Sequence, residues 1–311
     1  MGVVRGGARL AAAVAALAVG ASYGLGGVVN QVITAQGISV LNLTVYQFAV
    51  ATVVLGLLTA CFFRDRLSLK EILQLCCIGV FCAGASVCYF LAIDMLTVGQ
   101  AVSIQFQYVW MAVVVQCVAE RLVPNKYVVF SIVLVVIGSA MGSGLVDELL
   151  SQGASFSVAG ALFGIACAIC QALFIYLNSR VALDKKPVPR TFVIVASGLV
   201  VMLFVSPDFL ARFSEMLAFL SGGIVMGLVV SVLPCLCLAF ASSRLDGGLI
   251  AILTSVELPV AVGAGALVLG ETVTPLGVAG VCLIVGSIVI SQVKGRFSSK
   301  GSVSECASAH N

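Results

Sequence analysis

The sequence predicts an all-α integral membrane protein with ten transmembrane helices in two inverted five-helix repeats. Three observations lead to this fold class: an extremely apolar composition, ten long apolar segments, and features that recur in the two halves of the chain. Of the 311 residues, 61% are hydrophobic and only 9% are charged, whereas soluble domains carry about 25% charged residues. Together with a mean hydropathy of +1.20, this composition excludes an ordinary soluble domain.

The apolar segments follow one another with connectors too short to hold a soluble domain. A helix needs about 20 residues to cross the hydrocarbon core. The first segment could instead be a cleaved signal peptide, since Arg5 and Arg9 precede an alanine-rich run, but its apolar stretch continues to Val32 and predicts a membrane helix. The predicted spans are 10–32, 41–63, 72–93, 98–119, 127–145, 156–177, 191–205, 216–241, 249–269 and 276–293.

The basic residues fall almost entirely on one side of this arrangement. If the N-terminus is cytoplasmic, fifteen of the 16 Lys and Arg residues lie in cytoplasmic segments, and Arg212 alone lies outside. Cytoplasmic loops of membrane proteins carry an excess of these residues. The separation therefore predicts a multi-pass protein of the plasma membrane (the cell inner membrane) with cytoplasmic N- and C-termini.

Several features recur in the second half of the chain. Glu120 and Glu271 each follow a span and precede a proline by four residues, 151 positions apart, and Asn30 and Asn178 near the ends of two spans are 148 apart. We predict two five-helix units, 1–147 and 148–293, and a disordered cytoplasmic tail at 294–311. Five spans per unit would force opposite orientations, as in secondary transporters with a mid-membrane site. The alternative is a chance match between weakly patterned apolar segments.

In the ninth span the chain reads ILTSVELPVA from Ile252, followed by LVLGETVT up to Thr274. This run resembles the signature of EamA-type transporters of the drug/metabolite transporter superfamily, in which a Glu-Pro pair precedes Gly-Glu. Here Leu258 separates Glu257 from Pro259. On this resemblance we expect both predicted units to be EamA-like. The resemblance implies two halves that rock about a central cavity, lined from spans 1, 3, 4, 6, 8 and 9, and export of amino acids, metabolites or drugs.

Glu257 is the first candidate site residue, because it places a carboxylate near the middle of a span. Such acids usually face the bundle interior or water, and Pro259 disturbs the backbone bond to the Ser255 carbonyl. Loss of hydration disfavours the charged form, so Glu257 could exchange a proton or bind a substrate ammonium group. The alternative is a permanently protonated acid that bonds the loosened backbone. Thr254 lies on the same helix face and joins the predicted substrate and coupling residues.

The fourth span is unusually polar for a membrane helix. An amide without a partner in apolar surroundings loses its hydrogen bonds to water, so four glutamines do not indicate a lipid-facing helix. We predict that Gln105, Tyr108 and Trp110 line a substrate cavity. The alternatives are polar packing between helices and, for Trp110, a position at the membrane interface. Three further residues complete the predicted set: Tyr23, Gln171 and Tyr89.

Residues for catalysis or metal binding are scarce. The single histidine, His310, lies in the tail, and most of the 12 cysteines lie in apolar spans, where they act as small packing residues. We therefore expect no cofactor, no metal site, no nucleic-acid partner and no enzymatic activity.

The predicted function is a secondary transporter that moves a small organic solute by alternating access. The solute would be an amino acid or related metabolite, moved outward across the plasma membrane, with proton coupling through Glu257. One alternative is an integral-membrane enzyme acting on a lipid intermediate, for which Asp94, Arg244 and Asp246 are the nearest candidates. Another is a membrane scaffold that transports nothing. The expected partners are a small molecule, the lipid bilayer and a second copy in a homodimer, because small-residue motifs serve packing within or between chains.

Overall fold

The computed structural model describes residues 2–62, 67–150, 157–207, 220–270 and 272–294. All secondary-structure elements in these ranges are helices. Fourteen α-helices are present: α1 (Gly2–Thr34), α2 (Val40–Phe62), α3 (Leu69–Ile93), α4 (Val98–Gln105), α5 (Tyr108–Glu120), α6 (Lys126–Gly142), α7 (Leu145–Leu150), α8 (Val158–Asn178), α9 (Pro187–Val205), α10 (Leu220–Met226), α11 (Leu233–Ser242), α12 (Gly247–Thr254), α13 (Glu257–Ala264) and α14 (Pro275–Lys294). Two π-helical turns add Gly227–Val232 after α10 and Gly265–Leu269 after α13.

Within the part of the chain that the structure describes, eight helical stretches are long and apolar enough to cross a membrane. They confirm an all-helical, multi-pass membrane protein. The predicted fifth and tenth spans coincide with two shorter apolar helices, Lys126–Gly142 and Pro275–Ser291, so the count of ten spans stays a prediction. The seventh span is longer than predicted because α9 begins at Pro187, and proline is tolerated in the first turn of a helix. The predicted tail beyond Lys294, and Glu271, lie outside the described residues.

Helix α1 is built into the centre of the bundle. Gly20 and Gly24 lie so close to the backbone of α12 and α13 that a Cβ atom at either position would collide with the carbonyl oxygen of Thr254 or Glu257. Gly138 contacts α14 at Gly280 in the same manner. The small-residue motifs of the sequence therefore pack helices within this chain. They provide no surface for the predicted homodimer, which stays a prediction.

Three pairs of helices cross in an antiparallel sense. Each pair makes two contacts, and the second contact lies further along one helix and earlier along the other. In chain order these contacts are Phe48–Gly198 and Gly56–Phe192 for α2 and α9, Tyr108–Thr254 and Gln116–Gly248 for the fourth and ninth spans, and Gly138–Gly280 and Ser131–Ser287 for α6 and α14.

The fourth and ninth spans are both broken near their middle, and the two breaks have the same backbone geometry. Phe106 ends α4 and Ser255 ends α12, each with φ −62° and ψ −9°. Three backbone hydrogen bonds across each break occur at equivalent positions, displaced by 149 residues. The second helical portion of each span ends in a left-handed residue, Arg121 (φ 52°) or Gly270 (φ 70°), again 149 apart.

Pro259 was expected to disturb the backbone bond to the Ser255 carbonyl, and the break in the ninth span lies at Ser255. Pro259 is the third residue of α13, where its missing N–H group interrupts no bond within the helix. The fourth span breaks equally without a proline, which the sequence analysis did not predict. Both breaks are bridged by tighter bonds from residue i to i−3, which are usual where one helix ends and another begins.

Candidate functional site

A cavity of about 500 Å³ occupies the centre of the bundle. This volume lies within the range of sites for small organic molecules, about 300–1,000 Å³. Its walls come from α1, α2, α3, α4, α6, α8 and α9, from both π-helical turns, and from the helices next to them, α10, α11 and α13. The lining includes residues from all six spans that the family resemblance named, and from three others.

Glu257 projects into this cavity from the first turn of α13. It is half-buried, and it is the only lining residue with an ionisable carboxylate, amine, guanidinium or imidazole group in the described ranges. No hydrogen bond or ion pair to its carboxylate occurs within those ranges. Glu257 therefore keeps its oxygens available to whatever enters the cavity, as expected for an acid at mid-membrane depth.

Polar side chains on four other elements surround the same space. Tyr23 on α1 and Gln171 on α8, which are 148 residues apart, both line the cavity. Tyr89 on α3 and Gln105 at the end of α4 complete this group. The structure thus brings together five of the predicted site residues. Hydroxyl and amide groups among apolar walls are typical of pockets that orient a small ligand through a few polar contacts.

Three predicted site residues do not line the cavity. Tyr108 is 1% exposed, and its hydroxyl group hydrogen bonds to the Thr254 hydroxyl group over 3.1 Å. Trp110 donates its indole N–H group to the Gln107 amide oxygen at 2.9 Å within α5 and its preceding turn. The Tyr108–Thr254 bond joins α5 to α12 next to the two breaks. It forms part of the packed region beyond the cavity, and any contact of these residues with a solute stays a prediction.

Several lining residues were not among the predicted site residues. Gln47 donates its amide to the Ser231 hydroxyl at 2.9 Å, which ties α2 to the π-helical turn after α10. The Ser22 hydroxyl donates to the Val229 carbonyl of the same turn. π-Helical turns often occur at functional sites because they displace backbone groups. The sequence offered one signal, the polar residue Ser231 within the apolar run of the eighth span. Hydropathy could not identify its partner. Three thiols also line the cavity: Cys82, Cys167 and Cys235.

In the described ranges, the cavity reaches only one end of the bundle. Residues at the C-terminal ends of α1 and α3 and at the N-terminal ends of α2 and α4 line it: Asn30, Gln31, Thr34, Val40, Ile93 and Val98. We call this the open end.

The opposite end is closed by polar contacts between helices. Gln116, fully buried, accepts a hydrogen bond from the Gly248 N–H group at 2.8 Å. Arg180 and Glu120 form an ion pair between the ends of α8 and α5. We call this the closed end, and the bonds there join the fourth, sixth and ninth spans.

Arg190 was expected in a cytoplasmic connector, but it is 1% exposed in α9. Its guanidinium group donates to the Asn178 carbonyl at 2.8 Å and to the Asn178 amide oxygen at 3.1 Å. A cation at the C-terminal end of α8 also interacts favourably with the helix dipole. Asn178 therefore accepts these bonds at the closed end, whereas Asn30 lines the cavity at the open end.

A multi-pass helical membrane protein with a solute-sized cavity open at one end has the architecture of a membrane transporter. Residues 10–143 match the model of the EamA-like transporter family. The match confirms the resemblance seen in the sequence for this part of the chain. The family is one of transporters, not of enzymes. The matched segment is the first half of the chain, whereas the motif that carried the resemblance lies in the second.

The architecture is also found in a solved structure. A protein crystal structure aligns with a TM-score of 0.71 at 16% sequence identity, covering 92% of this chain and 98% of the other. At that level of identity the similarity shows the fold alone. No curated protein sequence matches this chain.

Proposed function

We propose that the protein is a secondary transporter that moves a small organic solute with an amino group, an amino acid or related metabolite, by alternating access. The observation that carries this proposal is the exposure of one carboxylate, Glu257, to a cavity with no cationic lining residue in the described ranges. In apolar surroundings a carboxylate without a partner is costly. A bound ammonium group or a proton would neutralise it, and both ligands would compete for the same oxygens.

Inverted repeats supply the mechanism for alternating access. The antiparallel crossings of α2 with α9, of the fourth span with the ninth, and of α6 with α14 support this arrangement, because equivalent helices of inverted units run in opposite directions. Two broken helices with the same geometry also support it. Discontinuous helices near the mid-plane form the solute site in many secondary transporters.

The charge distribution supports the orientation of the protein in the plasma membrane. Arg180, Lys185 and Arg190 in the described ranges lie at or near the closed end. Lys126 at the start of α6 and Arg244 in the turn after α11 lie on the same side of the predicted topology. Cytoplasmic segments are enriched in such residues. We therefore infer that the closed end is cytoplasmic and that the cavity opens outward, the state in which an exporter releases its solute.

The neighbours of Glu257 suit a zwitterionic solute. The Tyr23 hydroxyl and the Gln105 and Gln171 amides can donate hydrogen bonds to a solute carboxylate, while Glu257 accepts from the amino group. Tyr89 supplies an aromatic wall, and aromatic faces attract cations within about 6 Å. Proton binding to Glu257 would expel the ammonium group, which couples outward solute movement to inward proton movement.

Solutes that share a side chain but differ in charge test this proposal. The purified protein in proteoliposomes would be offered radiolabelled leucine, isopentylamine or 4-methylpentanoate, and phenylalanine, phenethylamine or 3-phenylpropanoate. Vesicles with an acidic interior let outward proton flow drive inward solute flow. We expect uptake of compounds with an amino group and none of the carboxylates alone, relative to protein-free vesicles. Uptake of the carboxylates alone, or no uptake that responds to the pH gradient, would contradict the proposal.

A further inference from the structure

The broken spans provide a residue-by-residue correspondence between the two halves. Three structural positions recur in the two spans, 149 residues apart. They are the residue before the first helical portion (Thr97 and Asp246), the residue at the break (Phe106 and Ser255) and the left-handed residue at the end (Arg121 and Gly270). Within this register Tyr108 corresponds to Glu257, because each begins the second helical portion. Gln105 corresponds to Thr254, because each ends the first portion.

One hydrogen bond joins the two broken spans, and the equivalent bond between the corresponding residues is not formed. Tyr108 and Thr254 bond to each other at 3.1 Å. The same contact with the halves exchanged would join Glu257 to Gln105. In the structure both of these side chains line the cavity, and neither has a hydrogen bond within the described ranges. The two halves thus differ at this point, because one of the two equivalent hydrogen bonds is formed and the other is not.

The helix ends show the same asymmetry. At the closed end Ser179 packs against Gly247 so tightly that a Cβ on Gly247 would lie 3.2 Å from the serine hydroxyl. The corresponding residues at the open end are Gln31, 148 positions before Ser179, and Val98, 149 positions before Gly247. Both line the cavity. The difference in hydrogen bonding near the breaks is therefore part of a difference in helix packing between the closed end and the open end.

We propose that Gln105 is the residue that binds Glu257 when the cavity closes at its open end. This inference rests on the proposed function, because it requires the two halves to exchange conformations. In the outward-open state the Tyr108–Thr254 bond closes the path to the cytoplasm, and Glu257 faces the solute. In the inward-open state the Gln105 amide donates to the Glu257 carboxylate, and Tyr108 and Thr254 separate to face the inner cavity.

The exchange gives Gln105 a role distinct from a contact with the solute. Its amide competes with an ammonium group for the same carboxylate oxygens, so a solute bound through its amino group must leave before the outer path closes. A hydrogen bond to an ionised acceptor is stronger than one between neutral groups. A bound ammonium group therefore opposes closure, whereas a protonated Glu257 can donate its own O–H group to the Gln105 amide oxygen and so carry the proton inward. Gln105 acts as a positioning residue that links occupancy of Glu257 to the state of the outer path.

Two thiol reporters can measure the balance of the two states without any knowledge of the solute. Cys82 lines the outward-open cavity, and a Ser179→Cys substitution places a thiol where only the inward-open state would expose it. The full-length Ser179→Cys protein in nanodiscs would react with a charged, membrane-impermeant maleimide. Mass spectrometry of the peptides then gives the rate at each of the two sites, separately from the other cysteines.

Substitutions of the corresponding residues Gln105 and Thr254 should shift the balance of the two states in opposite directions. Gln105→Ala removes the bond of the inward-open state, so labelling of Cys82 should rise relative to labelling at 179. Thr254→Val removes the bond of the outward-open state, so the ratio should fall. Each change should be about threefold or more, the effect of one hydrogen bond of ordinary net strength. The double variant should return towards the parent ratio. Gln107→Ala, which removes an amide directed at α4 and Trp110 instead of the cavity, should leave the ratio unchanged.

The outcomes separate this inference from the proposed function. If both reporters react in the parent but Gln105→Ala leaves the ratio unchanged, or shifts it in the same direction as Thr254→Val, the pairing of Gln105 with Glu257 is wrong while alternating access stands. If the thiol at 179 stays unreactive in every variant while Cys82 reacts, no inward-open state forms, and the proposed function fails with the inference.

Discussion

Tyr108 and Glu257 occupy the same position in two broken helices, 149 residues apart, and their surroundings are opposite. Each begins the second helical portion of its span. Tyr108 is 1% exposed and hydrogen bonded to Thr254, whereas Glu257 faces the cavity. A neutral hydroxyl group tolerates a dry contact between helices because one bond satisfies it, but a carboxylate needs water, a proton or a cation. The difference in chemistry matches the difference in exposure.

Substitution of Glu257 by Gln should abolish the response of transport to a pH gradient. The amide keeps the size of the side chain but cannot gain or lose a proton in the physiological range. We expect uptake driven by an acidic vesicle interior to fall by at least about tenfold, as for loss of a hydrogen-bonded charge worth about 1.5–3 kcal/mol. Asp184→Asn is the matched control, since Asp184 is an exposed acid in a connector. A Glu257→Gln protein with unchanged flux and pH response would remove Glu257 from the mechanism.

Replacement of Gln171 by Leu should weaken solute binding more than it slows the transport cycle. Leucine has nearly the volume of glutamine but donates no hydrogen bond, and a buried site loses about 1–3 kcal/mol when one polar contact is left unmade. We expect the KM of uptake to rise about tenfold with a smaller change in maximal rate. Gln36→Leu is the control, because Gln36 is an exposed residue in the turn after α1 and does not line the cavity. Equal KM values for both variants would contradict a solute contact at Gln171.

Arg190→Met should lower thermal stability. The substitution keeps an apolar stem but leaves the Asn178 carbonyl and amide oxygens, which Arg190 contacts at 2.8 and 3.1 Å, without their donor. Hydrogen bonds from a charged group contribute about 1.5–3 kcal/mol, so Tm should fall by several degrees. Arg244→Met removes an exposed guanidinium group that stacks on Phe240, and exposed changes alter stability by about 0.5 kcal/mol. Thermal scans of tryptophan fluorescence in detergent would compare the two, and equal Tm values would show that the buried bonds add no stability.

Gly280→Ala should separate α6 from α14, and Gly286→Ala in the same helix should not. A Cβ at position 280 would lie 2.5 Å from the Gly142 nitrogen and 2.6 Å from the Gly138 carbonyl oxygen, whereas a Cβ at position 286 meets nothing within 4 Å. The first change requires backbone movement and should lower Tm. The second should leave Tm the same or raise it, because alanine favours a helix over glycine by about 1 kcal/mol. Matching losses in both variants would mean that close approach of these helices does not stabilise the bundle.

Much of the helix pattern could be predicted from hydropathy, because the chain must satisfy its backbone within each span. All ten predicted segments coincide with helices in the described ranges, and α2 and α3 end within one residue of the predicted positions. The break in the fourth span could not be predicted. No proline or glycine occurs between Gln105 and Tyr108, and the break is apparent only when its backbone angles are compared with those of the ninth span.

Part of the candidate site could also be predicted from the sequence. Glu257, Gln105, Tyr23, Gln171 and Tyr89 were identified because a polar group in an apolar span is costly and needs a partner, and they share one cavity. The same argument applied to Tyr108 and Thr254, but their partners are each other. Composition shows that a polar side chain needs a partner. It cannot say whether that partner is a solute, water or another helix.

The amino-acid sequence by itself determined that this protein is a helical membrane protein and that an acid lies at mid-membrane depth, because transfer of apolar and charged groups into a bilayer depends on residue type along the chain. Only the tertiary structure decided that the cavity opens at one end and that Tyr108 is sealed while Glu257 is exposed. Those properties depend on contacts between helices that are more than a hundred residues apart in the chain, and the same residues would make different contacts with the two halves exchanged.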